Sequence, residues 1–121
     1  MLLAVGGHIL GDLEPQAVRM ATGFGGGVGG THQEMCGALS GGVLVIGGLL
    51  GRESADEDSD PARDLVARYR ERFLEALSDT QCARLRELVE APGGLGSCDR
   101  LVEVAAAILL EVLEPLPDAG A

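Results

Sequence analysis

Lysine and tryptophan are absent from this chain, and aromatic residues of any kind make up only 2% of it. Nine arginines stand against nineteen acids, which gives a formal net charge of −10. Nucleic acids are held by a basic footprint, and anionic membranes by polybasic segments. Neither feature is present, so neither nucleic acid nor membrane is expected as a partner. Without lysine there is no Walker A loop. With one Tyr and two Phe, the core must be built from Leu, Val, Ile and Ala.

Long apolar runs are missing as well. The longest, residues 37–50, has 14 residues and five of them are glycine. A membrane span needs about 20 residues, so this run reads as a core helix. The opening Met1–His8 has no basic n-region and no clear cleavage site, so it does not read as a signal peptide and the expected location is cytoplasmic. No apolar/polar alternation with a period of two occurs, so no strand is expected. A chain of 121 residues is one small domain. We expect an all-α bundle of about five to six helices over residues 1–114, with a loose tail at 115–121.

What the chain does have is helix punctuation. Met1 to about Leu10 reads as a short apolar helix stopped by Gly11. Asp12 caps a second helix with Pro15 in its first turn, running to about Thr22. Residues 23–30 form a loop with six glycines in eight positions. A third helix spans about Gln33 to Leu50, and Gly51 fits its C′ position. Gly37, Gly41 and Gly48 share one face of it, as if another backbone or a flat ligand came close. Residues 52–60 form an acidic linker. Asp60-Pro61 opens a fourth helix, in which Leu65, Tyr69 and Phe73 recur every four residues beside Val66 and Leu77. A fifth covers about Thr80 to Glu90. A sixth, about Cys98 to Glu114, is apolar nearly all round and ends at Pro115 and Pro117.

The three cysteines each fall at an expected helix start. Cys36 opens the third helix, Cys82 follows Ser78-Asp79-Thr80, and Cys98 follows Ser97, a natural cap. Helix N-termini carry free N–H groups and the positive end of the macrodipole, which favour the thiolate. Thiolate is the form that reacts and binds metal. One cysteine alone would read as a small buried apolar residue; three in one kind of position read as shared chemistry.

Other motifs carry less. Gly25-Gly-Gly27-Val-Gly-Gly30 matches G-x-G-x-x-G, but a helix precedes it rather than a strand, and no βαβ unit follows. Ser40 lacks a nucleophile-elbow context, since Ala stands at position 38. His32 lies four residues before Cys36; on one helix face the pair could clamp a metal, whereas a loop histidine would not. His8 reads as structural. Cys82 and Cys98 are separated by enough chain to form a disulfide.

Ala21-Thr-Gly-Phe-Gly-Gly-Gly-Val28, Glu34-Met-Cys-Gly-Ala-Leu-Ser-Gly41, the helix bearing Tyr69 and Phe73, Cys82-Ala-Arg-Leu and Cys98-Asp-Arg-Leu-Val102 together resemble a redox-active family named for its pattern, C_GCAxxG_C_C. The likeness spans nearly the whole chain. It implies a small helical protein with redox-linked cysteines and iron–sulfur or other metal binding. Cys36, Cys82 and Cys98 match the second, third and fourth cysteines of the pattern. The first, which in relatives lies on the opening helix ahead of the position matching Met1, has no counterpart.

The leading expectation is therefore a redox or electron-transfer protein with an unidentified electron-transfer partner. Cys36, Cys82 and Cys98 would act as redox-active thiols holding an iron–sulfur cluster or other thiolate-bound metal. His32 is a weaker candidate ligand. Backbone at Gly25, Gly26, Gly27 and Gly37 would approach the bound group. The alternatives are metal-free thiol–disulfide chemistry, with Cys82 and Cys98 as the pair, and a structural helical dimer. The thiols are expected to lie near one another. A homodimer is expected through the terminal helix, Leu101 to Leu113, and the glycine face of the third.

Overall fold

Small residues set the architecture at the middle of the chain. In the computed structural model, which describes residues 1–114, helix α3 (Gly37–Leu50) runs through the centre of the molecule. It packs against α4 (Asp60–Leu77), α6 (Cys98–Leu113), α1 (Gly7–Leu10) and a π-helical opening segment (Leu2–Gly6). Helix α2 (Pro15–Ala21) leads through a 3₁₀ turn (Thr22–Phe24) into the glycine loop, and α5 (Cys82–Glu90) packs beside α6. No strand occurs among the described residues, so the fold is all-α. The expected tail at 115–121, with the stop at Pro115 and Pro117, lies outside the described residues.

A helix apolar on most sides must be covered on most sides. In α3, Ala38, Leu39, Ser40, Gly41, Gly42, Val45 and Ile46 are all buried. The close approaches that its glycines allow are filled by this chain's own residues. A Cβ on Gly41 would lie 2.7 Å from Cβ of Met1, and one on Gly42 would lie 2.4 Å from the ring of Tyr69. Tyr69 is fully buried, and its hydroxyl donates to the carbonyl of Ala38 at 3.0 Å. Phe73 meets Tyr69 edge to face with ring centroids 6.1 Å apart. The two rings fill the seam between α3 and α4 and form the widest part of the core.

The terminal helix also finds its partners within the chain. Leu101, Ala105, Ile108, Leu109, Val112 and Leu113 of α6 are buried, while Glu103, Ala107, Leu110 and Glu111 face outward. The two surfaces expected to form a dimer contact, the apolar side of α6 and the glycine face of α3, are thus already covered. The sequence showed their excess of apolar surface, but not that Met1, Leu10 and Phe24 would come against the glycines of α3.

Three helix starts differ from expectation. Gly11 turns the chain at φ 79°, residues 12–14 stay outside the helix, and Glu14 rather than Asp12 precedes α2. Helix α3 starts at Gly37 and not near Gln33, because His32 (φ 61°) and Glu34 (φ 63°) hold left-handed backbone. Helix α5 starts at Cys82, since the Asp79 carboxylate takes the N–H groups of Thr80 and Gln81, at 2.7 and 2.8 Å, into a tight turn. Those bonds, the one from Gln81 foremost, hold the Asp79 carboxyl below its ordinary range. Ser97 caps α6 as expected, accepting from the N–H of Arg100 at 3.2 Å.

The Gly42–Tyr69 contact gives a test of this packing. Ala normally stabilises a helix over Gly by about 1 kcal/mol. At position 42 the added methyl meets a ring with no room to move, and Gly42→Ala should instead destabilise by about 1–3 kcal/mol. Tyr69→Phe removes one hydroxyl bond and should cost about 1 kcal/mol. Urea melts of the two variants check both values; a stabilised Gly42→Ala variant would contradict the contact.

Candidate functional site

The site is assembled by one pair of backbone hydrogen bonds. Met35 and Gln81 form an isolated antiparallel bridge. The N–H of Cys36 donates to the carbonyl of Thr80 at 2.9 Å, and the N–H of Cys82 donates to that of Glu34 at 2.8 Å. Side chains alternate across an extended pair, so Met35 and Gln81 take one face while Cys36 and Cys82 share the other. Each cysteine then stands at a helix start: Cys36 is the N-cap of α3, and Cys82 is the first residue of α5. Cys98, the first residue of α6, comes to the same region because α6 packs along α3.

All three thiols line one cavity of about 500 Å³. Its remaining walls are the opening segment at Met1–Leu3, the side of α2 at Val18 and Ala21, the glycine loop, and the first turns of α3 and α6. Gly25, Gly26, Gly27 and Gly37 all lie on the wall. The loop is compact. Val28 donates to Gln33 at 3.0 Å, Gly29 to Gly23 at 2.8 Å, and Gly30 to Gly25 at 3.1 Å. Gly27 is confined to glycine twice over: its φ is 76°, and a Cβ there would lie 2.4 Å from the carbonyl of Gln33. With the amides of Gly25, Val28, Gly29 and Gly30 directed to loop carbonyls, those of Gly26 and Gly27 are the loop donors left for a ligand.

His32 does not join the thiols. It sits in the left-handed stretch before α3, so it shares no helix face with Cys36, and it is not on the cavity wall. Its Nε2 lies 3.2 Å from Nη1 of Arg86. A guanidinium can only donate, so Nε2 is the acceptor in this pair and its lone pair is engaged. His8 is on α1, away from the cavity wall.

All three cysteines are free; Cys36 and Cys82 are buried and Cys98 is exposed. The helix start does not activate Cys36. Burial pushes its thiol pKa above the ordinary 9.0, the N–H groups of Ala38 and Leu39 oppose that without making a regular side-chain cap, and charge on Cys82 or Cys98 raises it further. Desolvation thus outweighs the helix end, contrary to the expectation of a readily formed thiolate there. Beneath Cys36, burial raises the Tyr69 phenol, and charge on Cys36 adds to it.

The donor set suits a soft metal, since thiolates are the ligands such sites use. Its placing does not suit a single ion: among the described residues, no three His, Cys, Asp or Glu side chains converge closely enough to hold one. The thiols are spread over the wall of a cavity far larger than an ion.

Two residues on the wall were missed by sequence reasoning. Ser40 is buried, and its hydroxyl donates to the Gly37 carbonyl at 3.3 Å, turned away from any nucleophilic role. Arg86 lies one turn after Cys82 on α5, and the two face the cavity together. That four-residue spacing was the available signal.

Fold and site together define a small helical protein with three free cysteines on the wall of one cavity. The chain belongs to the C_GCAxxG_C_C family, described as "Putative redox-active protein (C_GCAxxG_C_C)", whose pattern it matches over residues 1–112. No curated protein and no solved structure matches it.

The raised pKa of Cys36 has a sign that can be checked. The folded state holds the Cys36 proton more tightly than the unfolded chain does, so this contribution to stability is present below pH 9 and is lost as pH rises further. Alkylation by iodoacetamide, followed residue by residue by mass spectrometry, should be slower at Cys36 than at exposed Cys98 at neutral pH. The Cys36 rate should keep climbing beyond pH 9.0. A Cys36 rate that levels off below that pH would contradict the assignment.

Proposed function

We propose that this protein carries out thiol–disulfide redox chemistry within the cavity, with Cys98 as the entering thiol and Cys82 as the resolving one. The observation that supports this is the presence of three free thiols, from three separate helix starts, on one cavity wall. Cys98 is the exposed member and meets a disulfide substrate first. Its sulfur attacks one sulfur of the substrate, a protein–substrate disulfide forms, and the first substrate thiolate leaves and takes a proton. Cys82 then attacks the Cys98 sulfur, a Cys82–Cys98 disulfide forms, and the second substrate thiol leaves. Two protein thiols are oxidised and one disulfide is reduced to two thiols. Cys36, buried and held neutral, is a reserve thiol that does not compete for the first step. A reducing compartment keeps such thiols free, which favours the cytoplasm.

An iron–sulfur cluster or other thiolate-bound metal is the second reading, favoured by the softness of three cysteine donors and by the Gly26 and Gly27 amides on the same wall. A group larger than one ion fits the spread of the thiols better than a single metal does. In that reading the protein passes electrons to a partner. For a homodimer, the remaining support is exposed apolar surface at Leu3, Met20 and Val28. Sedimentation equilibrium against the 12.4 kDa monomer mass decides it.

The readings separate in one preparation. Anaerobically purified protein should be colourless, without stoichiometric iron or zinc, and should titrate three thiols when unfolded. After exposure to a disulfide oxidant it should titrate one. Cys82→Ser or Cys98→Ser should stop intramolecular pairing and leave a mixed disulfide. Visible colour with bound iron, and a melting temperature that falls on chelation, would select the cluster instead. Three titratable thiols after oxidation, with no metal, would defeat both.

A further inference from the structure

In a protein with a net charge of −10, the thiol cavity has no carboxylate on its wall among the described residues. The only charged side chain there is Arg86. The starts of α3, α5 and α6, marked by Cys36, Cys82 and Cys98, open on the same space and add positive potential to it.

We propose that Arg86 makes this cavity selective for small disulfides that carry carboxylates, pairing one carboxylate of the substrate while its disulfide lies against Cys98. The inference rests on the thiol–disulfide reading above and names the substrate class for it.

The geometry of Arg86 fits that role. Its place on α5, one turn beyond Cys82, sets the guanidinium on the same wall as the resolving thiol. Nη1 is held by Nε2 of His32 at 3.2 Å, which fixes the fork without adding negative charge. Nη2 lies 3.7 Å from Oε1 of Glu90, a long contact between side chains that are 41% and 70% exposed. Such an exposed pair is weak and readily screened, so Glu90 leaves most of the charge of Arg86 available to a ligand. A guanidinium has five N–H donors, and these two contacts leave a bidentate edge for a carboxylate. Apart from the Thr22 and Ser40 hydroxyls and the thiols, the remaining wall is apolar side chain and glycine backbone, suited to the methylene part of a small organic disulfide. The cavity of about 500 Å³ is of the size that takes such a molecule.

The proposal opposes the global electrostatics, and that makes it sharp. Net charge alone would draw in a cationic disulfide and repel an anionic one. The test compares three probes on the fully reduced protein: dithiodipropionate, which is anionic, hydroxyethyl disulfide, which is neutral, and cystamine, which is cationic. Mixed-disulfide formation at Cys98 is timed by intact mass in the Cys82→Ser background, where resolution cannot follow. The same three rates on urea-unfolded protein correct for intrinsic reactivity. The corrected order should be anionic, then neutral, then cationic. Arg86→Gln should lower the anionic-to-neutral ratio by about fivefold, the size expected of one partly exposed charge pair. Arg86→Lys, which keeps the charge, should restore most of it, and Glu90→Gln should raise it. If all three probes react at Cys98 with cystamine fastest, or if Arg86→Gln and Arg86→Lys leave the ratio unchanged, the carboxylate assignment is overturned while the redox reading stands. If no probe modifies Cys98 in folded protein, the redox reading fails and this inference falls with it.

Discussion

Everything distinctive about the site depends on the Met35–Gln81 bridge. Its two flanking hydrogen bonds, Cys36 to Thr80 and Cys82 to Glu34, are the only ladder among the described residues, and they join the starts of α3 and α5. An isolated two-residue bridge has little stability of its own. It holds here because both ends are pinned. On one side, left-handed backbone at His32 and Glu34 delays α3 until Cys36; on the other, the Asp79 turn delays α5 until Cys82. Both delays replace helical hydrogen bonds with bonds across the bridge. The chain gives up a turn of helix at each end to place two cysteines on one face.

The cavity follows from the same composition that limits the core. Tyr69 and Phe73 are both used in the seam between α3 and α4, where Gly42 makes room for a ring. At the other side of α3, the walls are glycine, alanine, leucine and valine, with Phe24 as the one aromatic on the wall. Six helix or turn segments end there, and short side chains cannot reach across the space between them. Close packing is the rule in protein interiors, and apolar voids cost stability. The space that results is lined by three thiols and one arginine.

The sequence revealed the elements well and their partners poorly. Apolar spacing at Leu65, Tyr69 and Phe73, the Asp60-Pro61 start, and Ser97 ahead of Cys98 are local signals, and the helices they mark are where they point. The positions of Cys82 and Cys98 at helix starts were legible for the same reason. The start of α3 was not, because nothing in Thr31–Met35 announces left-handed backbone at His32 and Glu34, and so a histidine–cysteine pair on one face looked available. Apolar excess was legible on α6 and on the glycine face of α3, but whether that surface is covered from within or by a second chain depends on tertiary packing. Arg86 could have been read from its spacing to Cys82, yet an arginine on an amphipathic helix is ordinarily a solvated one. Only the fold shows which of nine arginines faces a cavity without acids.

Placement at a helix start proved a weaker guide to thiol chemistry than burial. The N–H groups of Ala38 and Leu39 act on Cys36 as such a position predicts, but desolvation acts more strongly and keeps the thiol neutral. Cys98 is exposed and Cys36 is not. Cys98 differs from the other two in exposure, and Cys36 differs from both in standing as an N-cap rather than as a first helical residue. Exposure at Cys98 against burial at Cys36 and Cys82 is the difference on which the proposed order of attack is built.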